Sequence, residues 1–325
     1  MSTRPASSPL PSQATSLKVV ALAGGVGGAR LAHGLAQILP PENLTVIVNT
    51  GDDFEHLGLY ICPDLDTVCY TLAGLANPAT GWGRSAETWR ALETLATLGG
   101  PTWFRLGDHD LGLHLERTRR RRLGQPLSQV TRHFCRTLDI QVAVIPVSDD
   151  PVATWVDTDE GTLPFQEFFV HRQCQPKVSG FHFNGAEHAH PAPGVLEAIR
   201  QAHLVVICPS NPWVSIDPIL AVPGLRLAIQ GRPTLAVSPI IGGQTVKGPA
   251  AKMFTEMGLE PSALAVARHY GKMLTGFVLD LVDALQAQEI HSLEIKPYLT
   301  DTLMRTIQDR ARLAKEVVEF GLSIL

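Results

Sequence analysis

No stretch of this 325-residue chain stays apolar over the roughly 18 residues needed to cross a bilayer. Charge of one sign is also missing. A formal net charge of −4 offers no global field for nucleic acid or for an anionic membrane, so neither is expected as a partner. Cysteine is sparse: Cys62, Cys69, Cys135, Cys174 and Cys208 form no CxxC pair. An odd, unpatterned set fits reduced thiols and a cytoplasmic location better than a disulfide framework. There is no GxSxG elbow, which leaves acyl transfer without support. No Gly-Lys-Ser/Thr follows the one glycine cluster, and Arg30 stands where a dinucleotide fingerprint would place its last glycine. Met1–Ser16 is rich in Ser and Pro with no hydrophobic stretch, and reads as a disordered tail rather than a secretory signal.

What is present describes an ordinary globular protein, 45% apolar and 18% charged, long enough for a large core. Residues 17–325 are read as one domain, with an insertion over roughly 154–200 where β-formers and aromatics concentrate. The run Val19–Ala23 reads as a strand buried on both faces. Gly24-Gly25-Val26-Gly27-Gly28 follows, then a helical pattern over Leu31–Leu39 and a second strand over Leu44–Val48. Such a βαβ opening predicts an α/β fold, a doubly wound and mainly parallel Rossmann-like sheet. Further strands are expected over Ile140–Val147, Leu204–Cys208 and Thr234–Val237. Helices are expected over Asp66–Leu75 and Ala86–Leu98, and a mostly helical part after Ala250.

The apolar strands end in NTGDD, VSDD, PSNP and SPIIGG. In an open parallel sheet these ends converge on one crevice, so a single composite site is expected there. Gly24, Gly25, Gly27 and Gly28 let backbone N–H groups approach an anion, and the helix that follows directs its dipole at the same point. The alternative is a tight strand-to-helix turn. Asp52, Asp53, Asp64 and Asp66 supply hard oxygens of the kind that hold Mg²⁺ together with substrate phosphates, although Asp66 also suits a helix cap. Ser210, Asn211 and Ser238 offer hydroxyl and amide groups, and Asp149-Asp150-Pro151 reads equally as a turn. Arg105-Leu-Gly-Asp-His-Asp110 reads either as an active-site loop or as a solvated turn. His109 and His114 lack a third metal ligand at suitable spacing, and His188-x-His190 reads as surface histidine. The run Arg117–Arg122 reads as a solvated helix face or a clamp for an anionic substrate.

In order, AGGVGGARL, VNTGDDFEHLGLYICPDLDTV, WFRLGDHDLGLHLERT, PVSDDPVAT, SNPWVSIDPIL and AVSPIIGGQTVKGPAAKM resemble the 2-phospho-L-lactate transferases of coenzyme F-420 biosynthesis. The likeness runs from about Val19 to Met253, with a weaker helical tail. It implies a guanosine diphosphate donor carrying lactate or a related three-carbon acid, the deazaflavin Fo as acceptor, GMP as leaving group and Mg²⁺ as cofactor. It implies that Asp66 and Arg105 contact the deazaflavin. Gly24, Gly25, Gly27, Gly28, Ser210, Asn211, Ser238 and Gly242 would hold the nucleotide, with Asp52 and Asp53 at the metal and Asp53 and Asp66 taking part in catalysis. A homodimer is left open. Regulatory proteins of related fold that bind nucleotide sugars or dinucleotides are the competing class. They carry a Gly- and Ser-rich stretch after the acidic pair, where this chain has Phe54-Glu55-His56-Leu57-Gly58. A nicotinamide-dependent oxidoreductase is a third class, disfavoured by the glycine register.

Overall fold

The computed structural model describes residues 16–325, so the tail read over Met1–Ser16 lies, except for Ser16, outside the described residues. Seven parallel strands form the central sheet: β1 (Val19–Ala23), β2 (Leu44–Val48), β3 (Ala143–Pro146), β4 (Leu204–Ile207), β5 (Thr234–Val237), β6 (Gly276–Asp280) and β7 (Lys296–Thr300). Their order is β3-β2-β1-β4-β5-β6-β7, with Val19 paired to Leu44 on one side and Leu204 on the other. The order therefore reverses between β1 and β4, which opens a crevice beyond their carboxyl ends.

Alternation along each strand splits the core into two layers. Val20, Leu22, Ile47, Val205 and Ile207 face one layer. Val19, Ala21, Val46, Leu204 and Val206 face the other. Helix α1 (Gly25–Ile38) buries Leu31 and Leu35 in the second layer, where Leu313 and Val317 of the last helix also lie. Gly34 permits close approach there, since a Cβ on it would stand 2.1 Å from the Arg310 carbonyl oxygen.

The structure differs from the sequence reading in four places, one being that the helix expected over Ala86–Leu98 spans only Arg90–Thr97. α1 begins at Gly25 rather than Leu31, so the glycines form its first turn. The helix expected from Asp66 is α2 (Pro63–Leu72), which opens on a proline whose missing N–H costs nothing at that position. The part after Ala250 is mainly helical, yet it also contributes β6 and β7 to the sheet. The β-rich insertion is a three-stranded antiparallel sheet of Ala153–Thr158, Gly161–Pro164 and Val178–Asn184. All five cysteines are free and buried.

Candidate active site

A cavity of about 890 Å³ opens over the carboxyl ends of β1 and β4. Gly24, Gly25, Gly27, Asp52, Asp64, Asp66, Arg105, Ser210, Asn211 and Ser238 line it; Gly28, Asp53 and Gly242 do not. Gly24 is extended and Gly25 turns the chain at φ +61°, the conformation that most needs glycine. The other glycines answer to packing. A Cβ at Gly27 would lie 2.2 Å from the Pro209 carbonyl oxygen, and one at Gly28 would lie 2.6 Å from Ser210 Oγ. Ser210 stitches the two strand ends together: its hydroxyl accepts from Gly24 N at 3.3 Å and donates to the Gly24 carbonyl at 2.9 Å. The Gly25 N–H donates to Asp64 Oδ1 at 2.7 Å, so a carboxylate from α2 sits on the first turn of α1.

Asp52 and Asp64 form an acidic floor. The Asn49 amide donates to Asp52 Oδ1 at 3.1 Å and to Asp64 Oδ2 at 2.9 Å, which holds two buried carboxyls side by side. Burial pushes Asp64 up to about 6. Burial and the neighbouring Asp64 push Asp52 well above the usual carboxylate range. Folding therefore favours the protonated forms, and the part of that stability drawn from Asp64 is present in acid and lost as pH rises through about 6. Asp52→Asn, which keeps an oxygen for the Asn49 amide, is expected to melt higher than wild type at pH 7.5 and to converge with it near pH 4; thermal unfolding across pH measures this. Asp53 lies behind the floor. Its two oxygens are buried without a hydrogen-bond partner, and burial raises its carboxyl well above the ordinary range against the Cys62 thiol and Arg117.

Among the described residues no group of three or more His, Cys, Asp or Glu side chains is arranged to hold a metal ion. Asp52 and Asp64 nevertheless fit Mg²⁺, which commonly takes one or two carboxylates and completes its shell with water and phosphate oxygens. A cation there would also relieve two carboxyls that burial holds toward their neutral forms.

Asp66 is gripped by Arg117 of α3 (Asp108–Arg122), whose Nη1 donates to Oδ2 at 3.0 Å while Nη2 pairs with Oδ1. Burial works against the charge of Arg117, and Asp66, with Cys62 and Tyr70 beside it, more than offsets it. Nη1 also lies 3.1 Å from His114 Nδ1. Arginine only donates, so Nδ1 accepts and the ring proton belongs on Nε2. That nitrogen lies 3.5 Å from Asp110 Oδ1, which accepts from the Tyr70 hydroxyl at 2.6 Å. Sequence reasoning missed this network by treating Arg117–Arg122 as one charge run. The i, i+4 and i, i+3 spacing of Asp110, His114 and Arg117 was the available signal.

The rest of the basic run is structural. Arg119 and Arg120 pair with Glu116, and Arg122 donates to the Gly58 carbonyl. In the LGDHD segment, Glu87 accepts from the His109 and Asp110 N–H groups, and Asp108 binds Thr88 and the N–H groups of Arg90 and Ala91, so the segment is a capped helix start. Arg105 is exposed, with its guanidinium 4.4 Å from the Trp89 ring centroid. Asp149 caps the helix Leu127–Thr137 through Ser128, and Asp150 accepts from His190, which makes VSDD and HxH parts of turns. Asn211 caps Trp213, Ser238 closes its own turn onto Ile240, and Gly242 N binds Asp283. Tyr70, Trp103, Phe104, Phe165 and Phe169 give the cavity an aromatic wall that the sequence reading did not assemble.

A family model described as 2-phospho-L-lactate transferase CofD matches residues 19–320. The chain belongs to that family. It is 45% identical over 313 residues to a phosphoenolpyruvate transferase of Streptomyces griseus, covering 94% of this chain and 98% of that protein. It is 41% identical over 306 residues to a 2-phospho-L-lactate transferase of Methanopyrus kandleri, covering 93% and 97%. The fold is similar to that of a UPF0052 protein from Bacillus halodurans, with a TM-score of 0.61 at 17% identity over 93% of this chain and 99% of that one. The chain is thus an enzyme, a phospho-acid transferase of the CofD family.

Proposed function

We propose that this transferase moves a phospholactyl or phosphoenolpyruvyl group from a guanosine diphosphate-linked donor to the deazaflavin Fo, releasing GMP, in coenzyme F-420 biosynthesis. One observation carries the reading: a single cavity joins an aromatic wall to a glycine turn and a paired-carboxylate floor. The wall suits a flat tricyclic ring, since Phe165 and Phe169 already stack 5.3 Å apart. Arg117 takes one lone pair on each Asp66 oxygen, which leaves the carboxylate able to accept from the ring edge, and Arg105 adds a cation at the rim.

In the proposed step the terminal ribityl hydroxyl of Fo attacks the phosphorus bearing the three-carbon acid, the P–O bond to GMP breaks, and the hydroxyl proton is accepted at the carboxyl floor. Asp64 is suited to that proton: burial raises it to about 6, so it is ionised near neutral pH yet more basic than an ordinary carboxylate. Asp52, leaving Asp64 free to take the proton, would hold Mg²⁺, which when bound neutralises charge developing on the diphosphate. The protein's part is orientation and exclusion of water, with no covalent nucleophile required.

The test is incubation with Fo, Mg²⁺ and each guanylated donor, followed by product mass. A phosphodiester of Fo with GMP release, abolished by a strong chelator, is the expected result. Turnover undiminished by the chelator would remove the metal. A thermal shift with NAD or a nucleotide sugar, and none with GDP, would overturn the substrate reading.

A further inference from the structure

The cavity lining carries both signs of charge: Asp52, Asp64 and Asp66 contribute to it, and so do Arg30 and Lys247. Neither cation has a carboxylate partner among the described residues. Arg30 Nη1 donates to the Met304 carbonyl at 3.2 Å, and Lys247 Nζ donates to the carbonyls of Ala79, at 3.3 Å, and Thr80. Main-chain carbonyls satisfy hydrogen bonds but leave both charges uncompensated, in a corner where Arg30 is half-buried.

The acidic part of the lining cannot take an anion in the usual way. At the head of α1, the position at which a phosphate ordinarily sits, the Gly25 N–H is already given to Asp64. A phosphate at that N–H would press against a carboxylate. We propose that the anionic end of the ligand binds at Arg30 and Lys247, and that these two cations rather than the Gly25 N–H are the protein's phosphate-recognition site. Arg30 and Lys247 repel each other: burial and then Arg30 lower the Lys247 ammonium from its ordinary value, as expected of cations lacking an anion. The chemistry required is a group of at least two negative charges, a diphosphate or a phosphate beside a carboxylate. Its identity as the guanylated donor rests on the proposed function; its charge does not.

The arrangement also ties four segments to one event. Lys247 reaches from the loop after β5 to the loop around Thr80, and Arg30 reaches from α1 to Met304 beyond β7. An anion in the corner would draw both side chains away from neutral carbonyls toward itself.

The test uses the full chain with two probes, inorganic pyrophosphate and GDP, titrated calorimetrically into wild type, Arg30→Gln and Lys247→Gln. Glutamine removes the charge but is shorter than either side chain and gives up these carbonyl ties, so melting temperature, read beside affinity, separates loss of charge from loosening of the loops. Each variant is expected to melt within a few degrees of wild type and to bind both probes roughly ten- to a hundredfold more weakly, the usual effect of losing a charge-assisted hydrogen bond. Affinity for both probes should also fall with salt more steeply in wild type than in either variant. Unchanged affinity for both probes in both variants would overturn the proposal and leave the transfer reading intact. Wild type that binds pyrophosphate through these residues but ignores GDP would uphold the cationic corner and remove the guanylated donor.

Discussion

Arg117→Met is expected to leave a protein destabilised by about 3–5 kcal/mol and nearly inactive, because removing one partner of a buried ion pair strands the other charge. Asp66 has only Arg117 as a strong donor, and both side chains are almost wholly inaccessible. Without the guanidinium, His114 Nδ1 loses its donor as well, so the imidazole is free to change tautomer and Asp110 loses a fixed neighbour. Arg117→Lys should recover part of the stability and little of the activity, since an ammonium cannot grip both oxygens of Asp66 and His114 together. Chemical denaturation gives the first quantity. Steady-state kinetics with varied acceptor give the second, and KM for the acceptor should rise more than KM for the donor. A fully active methionine variant would show that Asp66 needs no counterion.

Gly27→Val should be comparably severe for a steric reason. Gly27 has ordinary helical backbone, so no forbidden φ is involved; a Cβ there meets the Pro209 carbonyl oxygen at 2.2 Å, and backbone cannot rotate aside as a side chain can. Relieving that overlap parts the ends of β1 and β4, the two strands whose divergence makes the cavity. A cost of about 3 kcal/mol is expected, with loss of binding for both substrates rather than one. Gly112→Ala is the control. It lies exposed in α3 with nothing within 4 Å of an added Cβ, and should be neutral or slightly stabilising. Equal melting temperatures for the two variants would refute the packing explanation.

These residues show what could be read in the sequence and what could not. The strands β1, β2, β4 and β5 were legible because each is a short apolar run closed by small or acidic residues, and that pattern also marked where the site would form. Strand β6 was missed because Gly276-Phe-Val-Leu-Asp280 lies among helical segments, and β7 because Pro297 speaks against a strand, although an edge position tolerates it. Asp64 was legible as an oxygen donor but not as the acceptor of Gly25 N–H, since that bond joins elements thirty-nine residues apart. The aromatic wall draws Tyr70, Trp103 and Phe165 from three separate segments, and no local periodicity announces such a meeting. Arg117 was hidden by its neighbours: in a run of arginines, only the helical phase separates the buried one from the solvated ones.

The packing of α1 against the last helix sets an order of events during synthesis. β1, the glycine turn and α1 leave the ribosome first. Leu31 and Leu35, however, are covered by a helix that begins at Ile307, and the cavity wall is completed by Thr302–Arg305. Until that stretch emerges, α1 lacks the helix that its Gly34 side is shaped to meet, and the seam there stands open. A ribosome-tethered chain therefore holds the glycine turn long before it holds a site. Catalytic competence waits on that stretch rather than growing steadily during translation, and a product lacking it would be inert even though nearly every motif described above had already been made.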